Sequence, residues 1–417
     1  MNEPLKKNEY SKIDLLILVS VLFLLVLGSA IVFSASSYRA TQLTGDSAFY
    51  FKNHMIRVFI GVALMVAFIF VDYKRWLDVS PIIYLGAVFL LLLLFTHSSI
   101  VITKNEASRW LHFGPVTFQP SDFARYALIF VLARFLYQNQ EEMKTWQGFL
   151  KIMGLVILIV GMVALEKDLG TSVMIALIAF SMFFLADVKI MYLLSVGLSV
   201  VTVSMMYLMS NPYMLKRVES FVNLSINKSM DSYQLQQSIN GFKFGGIFGR
   251  GIGNSIQKYE FLPEAHKDFV FSVIGEELGM IGAILVMSLF LLILYRGIKI
   301  AKSAPDAYGR LLAGGITICI GLYAFLNAAV TLAMVPTTGI PMPFISYGGS
   351  AMVTHLAAIG ILLNISSQSR DSFTKYPSRA TYQNRINRLS AQSAGNAPKK
   401  RRKIVRRKPV NPYKVGL

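Results

Sequence analysis

Residues 262–279, LPEAHKDFVFSVIGEELG, put Asp268 at the start of a long apolar run and Glu276 and Glu277 within it. Carboxylates so placed are costly in a bilayer, and they mark either function or buried partners. A carboxylate at that boundary can take a proton from a hydroxyl. Partial loss of water makes it a better proton acceptor, as general-base catalysis requires. The same residue could instead satisfy free N–H groups at a helix start, where acidic side chains are favoured. If the helix opens at Asp268, then Ser272, Gly275 and Gly279 follow on its face, and Phe269, Val270 and Phe271 turn toward lipid. Glu276 and Glu277 would lie about 12 Å deeper at about 1.5 Å per residue. Both glutamates are expected to be structural, facing neighbouring helices.

Three other stretches gather polar residues. ASRWLHFGPVTFQPSDFAR (107–125) holds Arg109 beside Trp110, then Gln119, Asp122 and Arg125. Pro120–Ser121 can open a helix, and Asp122 and Arg125, three apart, then share a face as a structural ion pair. Arg109 has no carboxylate within a turn, so an anionic ligand and a structural contact both remain open for it. ALEKDLGTS (164–172) reads as a polar turn at the membrane surface. AMVPTTGIPMPFISYGGSAM (333–352) carries Pro336, Pro341 and Pro343, which stop helices, and then Gly348–Gly349, which permits close backbone approach. GRGIGNS (249–255) could form an anion nest but lacks the strand and helix flanks of a phosphate loop.

The elements that position these residues must be membrane helices. The 417 residues are 54% hydrophobic and only 15% charged, below the roughly one quarter charged of a soluble domain. The lone cysteine, Cys319, excludes an intrachain disulfide, and the five histidines show no ligand spacing. Of the net charge of +19, thirteen units lie from Arg370 onward, with KKRRK at 399–403. Such a tail suits anionic lipid or a protein partner, and with few aromatics to stack on bases it argues against nucleic acid.

A bilayer-spanning helix needs about 20 mostly apolar residues. Runs near that length fall at 13–35, 54–71, 80–97, 121–137, 149–165, 169–186, 190–210, 269–296, 310–335 and 345–366. This predicts an all-α polytopic membrane protein with ten transmembrane helices. Lys and Arg mark the short loops of one side, including DYKRW (72–76) and RGIKIAKSAPDAYGR (296–310), so both termini are expected in the cytoplasm. The divisions are then a cytoplasmic segment 1–12, a membrane domain 13–368 and a basic cytoplasmic tail 369–417. A large outer loop, 211–268, joins spans seven and eight and is long enough to carry function.

Taken together, ASRW…QPSD, DLGTS, GNSIQK…FLPEAHKDFVFSVIGEELG and PTTGIPMPFISYGGS resemble the SEDS family (shape, elongation, division and sporulation) over residues 13 to 368. The resemblance is nearer its division branch than its elongation branch. It implies a peptidoglycan glycosyltransferase of the bacterial cytoplasmic membrane, acting at the division septum. Such an enzyme polymerises lipid II, an undecaprenyl-pyrophosphate-linked disaccharide pentapeptide, and works with a class B penicillin-binding protein and other division proteins. The family's essential outer-loop aspartate falls on Asp268 and its outer-loop arginine on Arg109. Trp110, Gln119, Lys267, Ser346 and Tyr347 are further candidate substrate contacts, and a divalent cation, Mg or Mn, could help balance the pyrophosphate. The chain departs from the family pattern at Asp122 and Arg125, where Glu and Lys are usual, at Lys167, usually Pro, and at Lys267, commonly Thr. Lys267 would oppose the basicity of its neighbour Asp268. Two other readings of the residues stand beside this one: a precursor transporter or flippase using the carboxylates as a proton path, and a non-catalytic division scaffold.

Overall fold

The computed structural model describes residues 13–369, apart from 97–99, 105–106, 114–115, 211–214, 216–218, 220, 223–229 and 260. The N-terminal segment 1–12, the basic tail from residue 370 and part of the loop 211–268 thus lie outside the described residues. Helices occupy all ten apolar runs. They are α1 (Leu15–Thr44), α2 (Phe49–Ile69), α3 (Lys74–Leu93), α4 (Pro120–Gln138), α5 (Trp146–Leu165), α6 (Leu169–Leu185), α7 (Ile190–Ser210), α10 (Gly279–Ser303), α11 (Ala307–Thr331) and α12 (Gly349–Gln368). Two more, α8 (Met230–Gly245) and α9 (Val270–Glu277), precede α10. Seven of the helices among the described residues, α1, α2, α3, α5, α10, α11 and α12, are long and apolar enough to cross a membrane. The α4 helix carries Asp122, Arg125 and Arg134, and α6 is 17 residues long.

Helix ends follow local chemistry. Asp14 caps α1 by accepting from the Leu16 and Ile17 N–H groups, and Gly45, at φ 75°, closes its far end with an N–H to Thr41 O. The helix runs nine residues beyond the expected 35, through SSYRATQLT, because polar residues outside lipid can keep their backbone bonds in a helix. Apolar side chains cover both surfaces of the bundle, as lipid demands. Ile56, Phe59, Phe70 and Ile82 point outward from α2 and α3, whereas α11 and α12 are mostly buried at the centre with α4. The most extensive helix pairing is α2 on α12, where a Cβ at Gly360 would come within 2.3 Å of the Met65 backbone.

The all-helical expectation needs one correction. Three strands, β1 (Val101–Lys104), β2 (Ala107–Phe113) and β3 (Val116–Phe118), form an antiparallel sheet in the order β1-β2-β3. Val101, Ile102 and Thr103 are β-branched, and the segment is too short and polar to extend the preceding helix. A second correction concerns span eight. Rather than one helix from Asp268, the chain forms α9, breaks at Leu278, and resumes as α10 with Gly279 at φ 67°. Its cause lies in the glycine-rich stretch 245–251. Its backbone bonds the break directly, with Arg250 N to Glu276 O, Gly251 N to Glu277 O and Met280 N to Gly246 O. A Cβ at Gly279 would meet Gly249 N and Ile247 O at 2.4 Å, so only glycine fits.

Candidate active site

Asp268 lies in the turns just before α9, one residue ahead of the N-cap Phe269, and is partly exposed. Phe269, Val270 and Phe271 are at most 4% exposed and pack into the protein, so the expectation that they face lipid is corrected. What holds α9 there is α8. Ser272 Oγ donates to Ser238 O at 2.8 Å, and Phe242 lies where a Cβ of Gly275 would be. The small-residue face read from the sequence therefore seats a helix. Glu276 accepts from Ser255 Oγ, Ile256 N and Gln257 N, folding the turn 255–257 under α9. Glu277 accepts from Ser34 Oγ of α1. These two carboxylates are fastened to the scaffold, as buried charges in lipid must be.

Asp268 itself is positioned through its backbone. Asn327 of α11 donates from one Nδ2 to both Asp268 O and Ile340 O, each at 2.8 Å. It thereby ties the loop carrying Asp268 to the proline-rich segment 336–344. Sequence reading missed Asn327, whose only signal was a lone amide in an apolar span. Gly339, at φ 71°, is so close that a Cβ there would stand 3.6 Å from Asp268 Oδ2. Its neighbour Thr338 touches Gly170, where a Cβ would come 2.7 Å from Thr338 O. The loop 336–340 thus brings the aspartate and the DLGTS turn to one end of the bundle.

That turn is more elaborate than a polar re-entry. Asp168 caps α6, accepting from Thr171 N and Thr171 Oγ1, and Gln119 Nε2 donates to its Oδ2 at 3.2 Å. Arg109, on β2, donates through Nε to Glu166 O at 3.4 Å and through Nη2 to Lys167 O. Its guanidinium fastens the sheet to the turn. Lys167, where the resemblance leads one to expect proline, takes φ 62°, a value the pyrrolidine ring forbids. Glu166 is 4% exposed, and neither carboxylate oxygen has a hydrogen-bond partner among the described residues. Burial first and Asp168 second push its pKa up to about 9, with Arg109 opposing.

This shift fixes a sign. Glu166 is protonated in the folded protein and ionised in the unfolded chain between about pH 4.5 and 9. The folded state binds the extra proton, so its stability falls as pH rises through that window. Glu166→Gln should flatten the decline of melting temperature between pH 5 and 9 while matching wild type near pH 5. Parallel wild-type and variant curves in detergent would show that Glu166 titrates normally.

The remaining sequence candidates fall around this end. Trp110 packs its ring 3.5 Å from where a Cβ of Gly349 would sit, at the start of α12. Ser346 is buried and its Oγ accepts from Met342 N, closing the turn before α12. Tyr347 N donates to His266 O at 2.9 Å, tying that turn to the Asp268 loop. Lys267 pairs with Glu264 at 2.7 Å, and Arg39 reaches the same carboxylate at 3.0 Å. Burial raises the Glu264 pKa, but Lys267 and Arg39 outweigh it and hold the group below the usual range. The Lys267 charge is thus matched by Glu264 rather than left to act on Asp268 alone. Asp122 and Arg125 form a buried ion pair at 3.0 Å. Among the described residues, no three His, Cys, Asp or Glu side chains gather as a metal site would require.

Comparison with known proteins agrees with this architecture. The family model FTSW_RODA_SPOVE, described as cell cycle protein, matches residues 14–371. This chain belongs to the FtsW/RodA/SpoVE family. Relatives within it include the probable peptidoglycan glycosyltransferase FtsW of Geobacter metallireducens, 37% identical over 89% of this chain and 99% of that protein. A protein of the same name from Coxiella burnetii is 39% identical over 86% and 97%. Stage V sporulation protein E of Bacillus subtilis is 36% identical over 86% and 98%. Among solved structures, one described as structural coordination of polymerization and crosslinking by a peptidoglycan synthase complex has the same fold. Its TM-score is 0.71 at 23% identity, over 86% of this chain and 99% of that one. The rod shape determining protein RodA of Thermus thermophilus gives 0.64 at 24%, over 86% and 98%. The FtsW/RodA/SpoVE fold therefore accounts for nearly all of the described chain.

Proposed function

We propose that this chain is a peptidoglycan glycosyltransferase that polymerises lipid II at the outer face of the cytoplasmic membrane during cell division, with Asp268 as general base. The observation that carries this reading is the aspartate's setting. It is partly exposed, anchored through Asn327, and lies where a buried helix begins, at the end of the bundle this reading takes as outward-facing. The names of the relatives supply the reaction class. In the reaction, the acceptor sugar's hydroxyl oxygen attacks the anomeric carbon of the donor while its proton passes to the Asp268 carboxylate. The bond from that carbon to the pyrophosphate oxygen breaks, and the lipid pyrophosphate leaves. Pyrophosphate is a good leaving group, so one base suffices and no second carboxylate acting as acid is needed. Arg109, at the same end of the bundle, can meet the growing charge. Trp110, Gln119, Lys267, Ser346 and Tyr347 line the same end as candidate substrate contacts. The lipid tail stays in the bilayer while the sugars react above it, which is why the base belongs at the boundary.

The full reading has ten spans with both termini in the cytoplasm, septal location, and a class B penicillin-binding protein as partner. The solved synthase complex couples polymerisation to crosslinking, which supports such a partner. Cysteines at Lys52 and Tyr259, both exposed, should label from outside intact cells, and one at Glu141 only after permeabilisation. Labelling of the Glu141 position from outside would break the orientation. The decisive assay puts purified protein and its transpeptidase partner in liposomes with lipid II on one face. Glycan chains should form on the outer-loop face alone. Movement of lipid II across the bilayer without polymer would favour a transporter and overturn this reading.

A further inference from the structure

One face of α2 carries Tyr50, His54 and Arg57, at i, i+4 and i+7, and all three converge on the ring of Tyr347. The Tyr50 and His54 ring centroids lie 5.5 and 6.2 Å from it, and the guanidinium carbon of Arg57 lies 4.8 Å from it. His266 closes the cluster from the Asp268 loop, 5.5 Å from Tyr347 and 4.9 Å from Tyr50. His54 is 1% exposed and His266 2%. Three nitrogens here, His54 Nε2, Arg57 Nη1 and His266 Nε2, are shut from water and have no hydrogen-bond partner among the described residues. Among the described residues no carboxylate forms an ion pair with Arg57. Glu264, near His266, is held by Arg39 and Lys267, and Asp46, before α2, is held by Lys52.

An unmatched cation and unmet N–H groups at a low-dielectric boundary are costly, each worth more with an acceptor in place. The inventory is one-sided. A guanidinium and two imidazoles can donate, whereas no carboxylate accepts. A small anion with several oxygens fits that set, and phosphate is among the anions whose geometry the guanidinium fork matches. Burial pushes the His266 imidazole down to about 4, with Lys267 and Arg39 adding to that and Glu264 opposing, so at neutral pH it donates without adding charge. The location adds a second requirement. Arg57 lies eight residues into α2, about 12 Å from its start, and helical side chains lean toward the N-terminus. Its stem therefore carries the charge back toward the membrane surface. Beside it, Ile56, Phe59 and Ile60 present exposed apolar side chains to lipid. A ligand with a phosphate head and a hydrocarbon tail meets both requirements.

We infer that Arg57, His54 and His266 form an anion site for the phosphate of a membrane-anchored lipid, filled during the reaction by the pyrophosphate of a polyprenyl-linked sugar. The second half of that statement rests on the function proposed above, and the first half stands without it. His266 is two residues from Asp268, and Tyr347 is hydrogen-bonded to the His266 carbonyl. A phosphate held here therefore sits beside the base.

Binding, read without turnover, tests this. Asp268→Asn protein in nanodiscs would be titrated with undecaprenyl pyrophosphate and, separately, with phosphatidylglycerol, using native mass spectrometry. Adding Arg57→Gln should weaken binding of undecaprenyl pyrophosphate at least about tenfold, with Arg57→Lys retaining more because it keeps the charge. His54→Phe keeps the ring contact with Tyr347 and removes Nε2, and it should weaken binding several-fold. It also serves if Arg57→Gln does not fold. Loss confined to the pyrophosphate supports the substrate assignment. Equal loss for phosphatidylglycerol supports the phosphate site while overturning the substrate assignment. Unchanged affinity for both lipids in folded variants overturns the site. A wild-type protein that makes no glycan yet shows the Arg57-dependent binding would remove the proposed function and leave the site standing.

Discussion

Asp268→Asn protein is expected to fold, reach the membrane, bind its transpeptidase and make no glycan. Asparagine matches aspartate in size and leaves the backbone carbonyl free to accept from Asn327, so the loop keeps its anchor. What it loses is the capacity to take a proton, and removing a general base costs about 10²–10⁴ in rate. Asp268→Glu keeps the carboxylate but pushes it out by one methylene. A displacement near 1 Å can cost about a hundredfold. Gly339 is the reason to expect that penalty, since it stands at Asp268 with no side chain to yield. The control is Glu276→Gln, whose carboxylate accepts from Ser255 and the amides of Ile256 and Gln257. Its loss should lower stability, leaving rate per folded molecule near wild type. The measurement is polymerisation of lipid II by purified protein, normalised to folded protein. An Asp268→Asn protein within about threefold of wild type would sink the general-base assignment, since even weak base catalysis exceeds that.

How much of this was legible follows from the range of each signal. Long apolar runs announce their helices because a bilayer demands both length and composition, and every one of the ten runs is helical, though the eighth is split into α9 and α10. The ion pair at Asp122 and Arg125 was legible because helical spacing alone places them together. The β-sheet was not, since its strands of three to seven residues are set by pairing with each other rather than by a period of their own. The break at Leu278 was hidden for a different reason. Residues 269–296 look like a single span, and what interrupts them is a glycine-rich backbone about thirty residues earlier, which no local pattern encodes. That break also reversed the reading of Phe269, Val270 and Phe271, because a short helix re-entering the protein buries what a lipid-facing helix would expose. Glu166 and Asn327 mattered through partners that they lack or hold across the fold. Long-range contacts of that kind are invisible in a single chain of letters.

The second large effect concerns Arg125, which is 1% exposed deep among α4, α11 and α12. Its Nη1 meets Asp122 at 3.0 Å, its Nη2 lies 3.3 Å from Thr354 and 3.2 Å from His355, and its guanidinium sits 4.3 Å from the Tyr323 ring. Asp122 also accepts from Ser350 Oγ at 2.7 Å, and that same oxygen accepts from Gln119 N. A polar chain thus runs from Arg125 through Asp122, Ser350 and Gln119 to Asp168, next to the segment 336–340 that abuts Asp268. Removing one member of a buried pair typically costs about 3–5 kcal/mol, because the other charge is left without compensation. Arg125→Leu should be the worse single change, since Asp122 keeps only the Ser350 hydroxyl. In Asp122→Asn the guanidinium still has Tyr323 and His355. The double variant Asp122→Asn/Arg125→Leu removes both charges and should recover much of the stability, which a purely additive pair would not. Thermal melts in detergent read the stability, and lipid II polymerisation at a temperature where all variants are folded reads the function. If the double variant is as unstable as the sum of the singles, the pair is not coupled and the polar chain has no energetic meaning. If it is stable yet inactive, then Gln119 and Asp168 need that charge to be held in place, and the chain reaches from the bundle interior to the base.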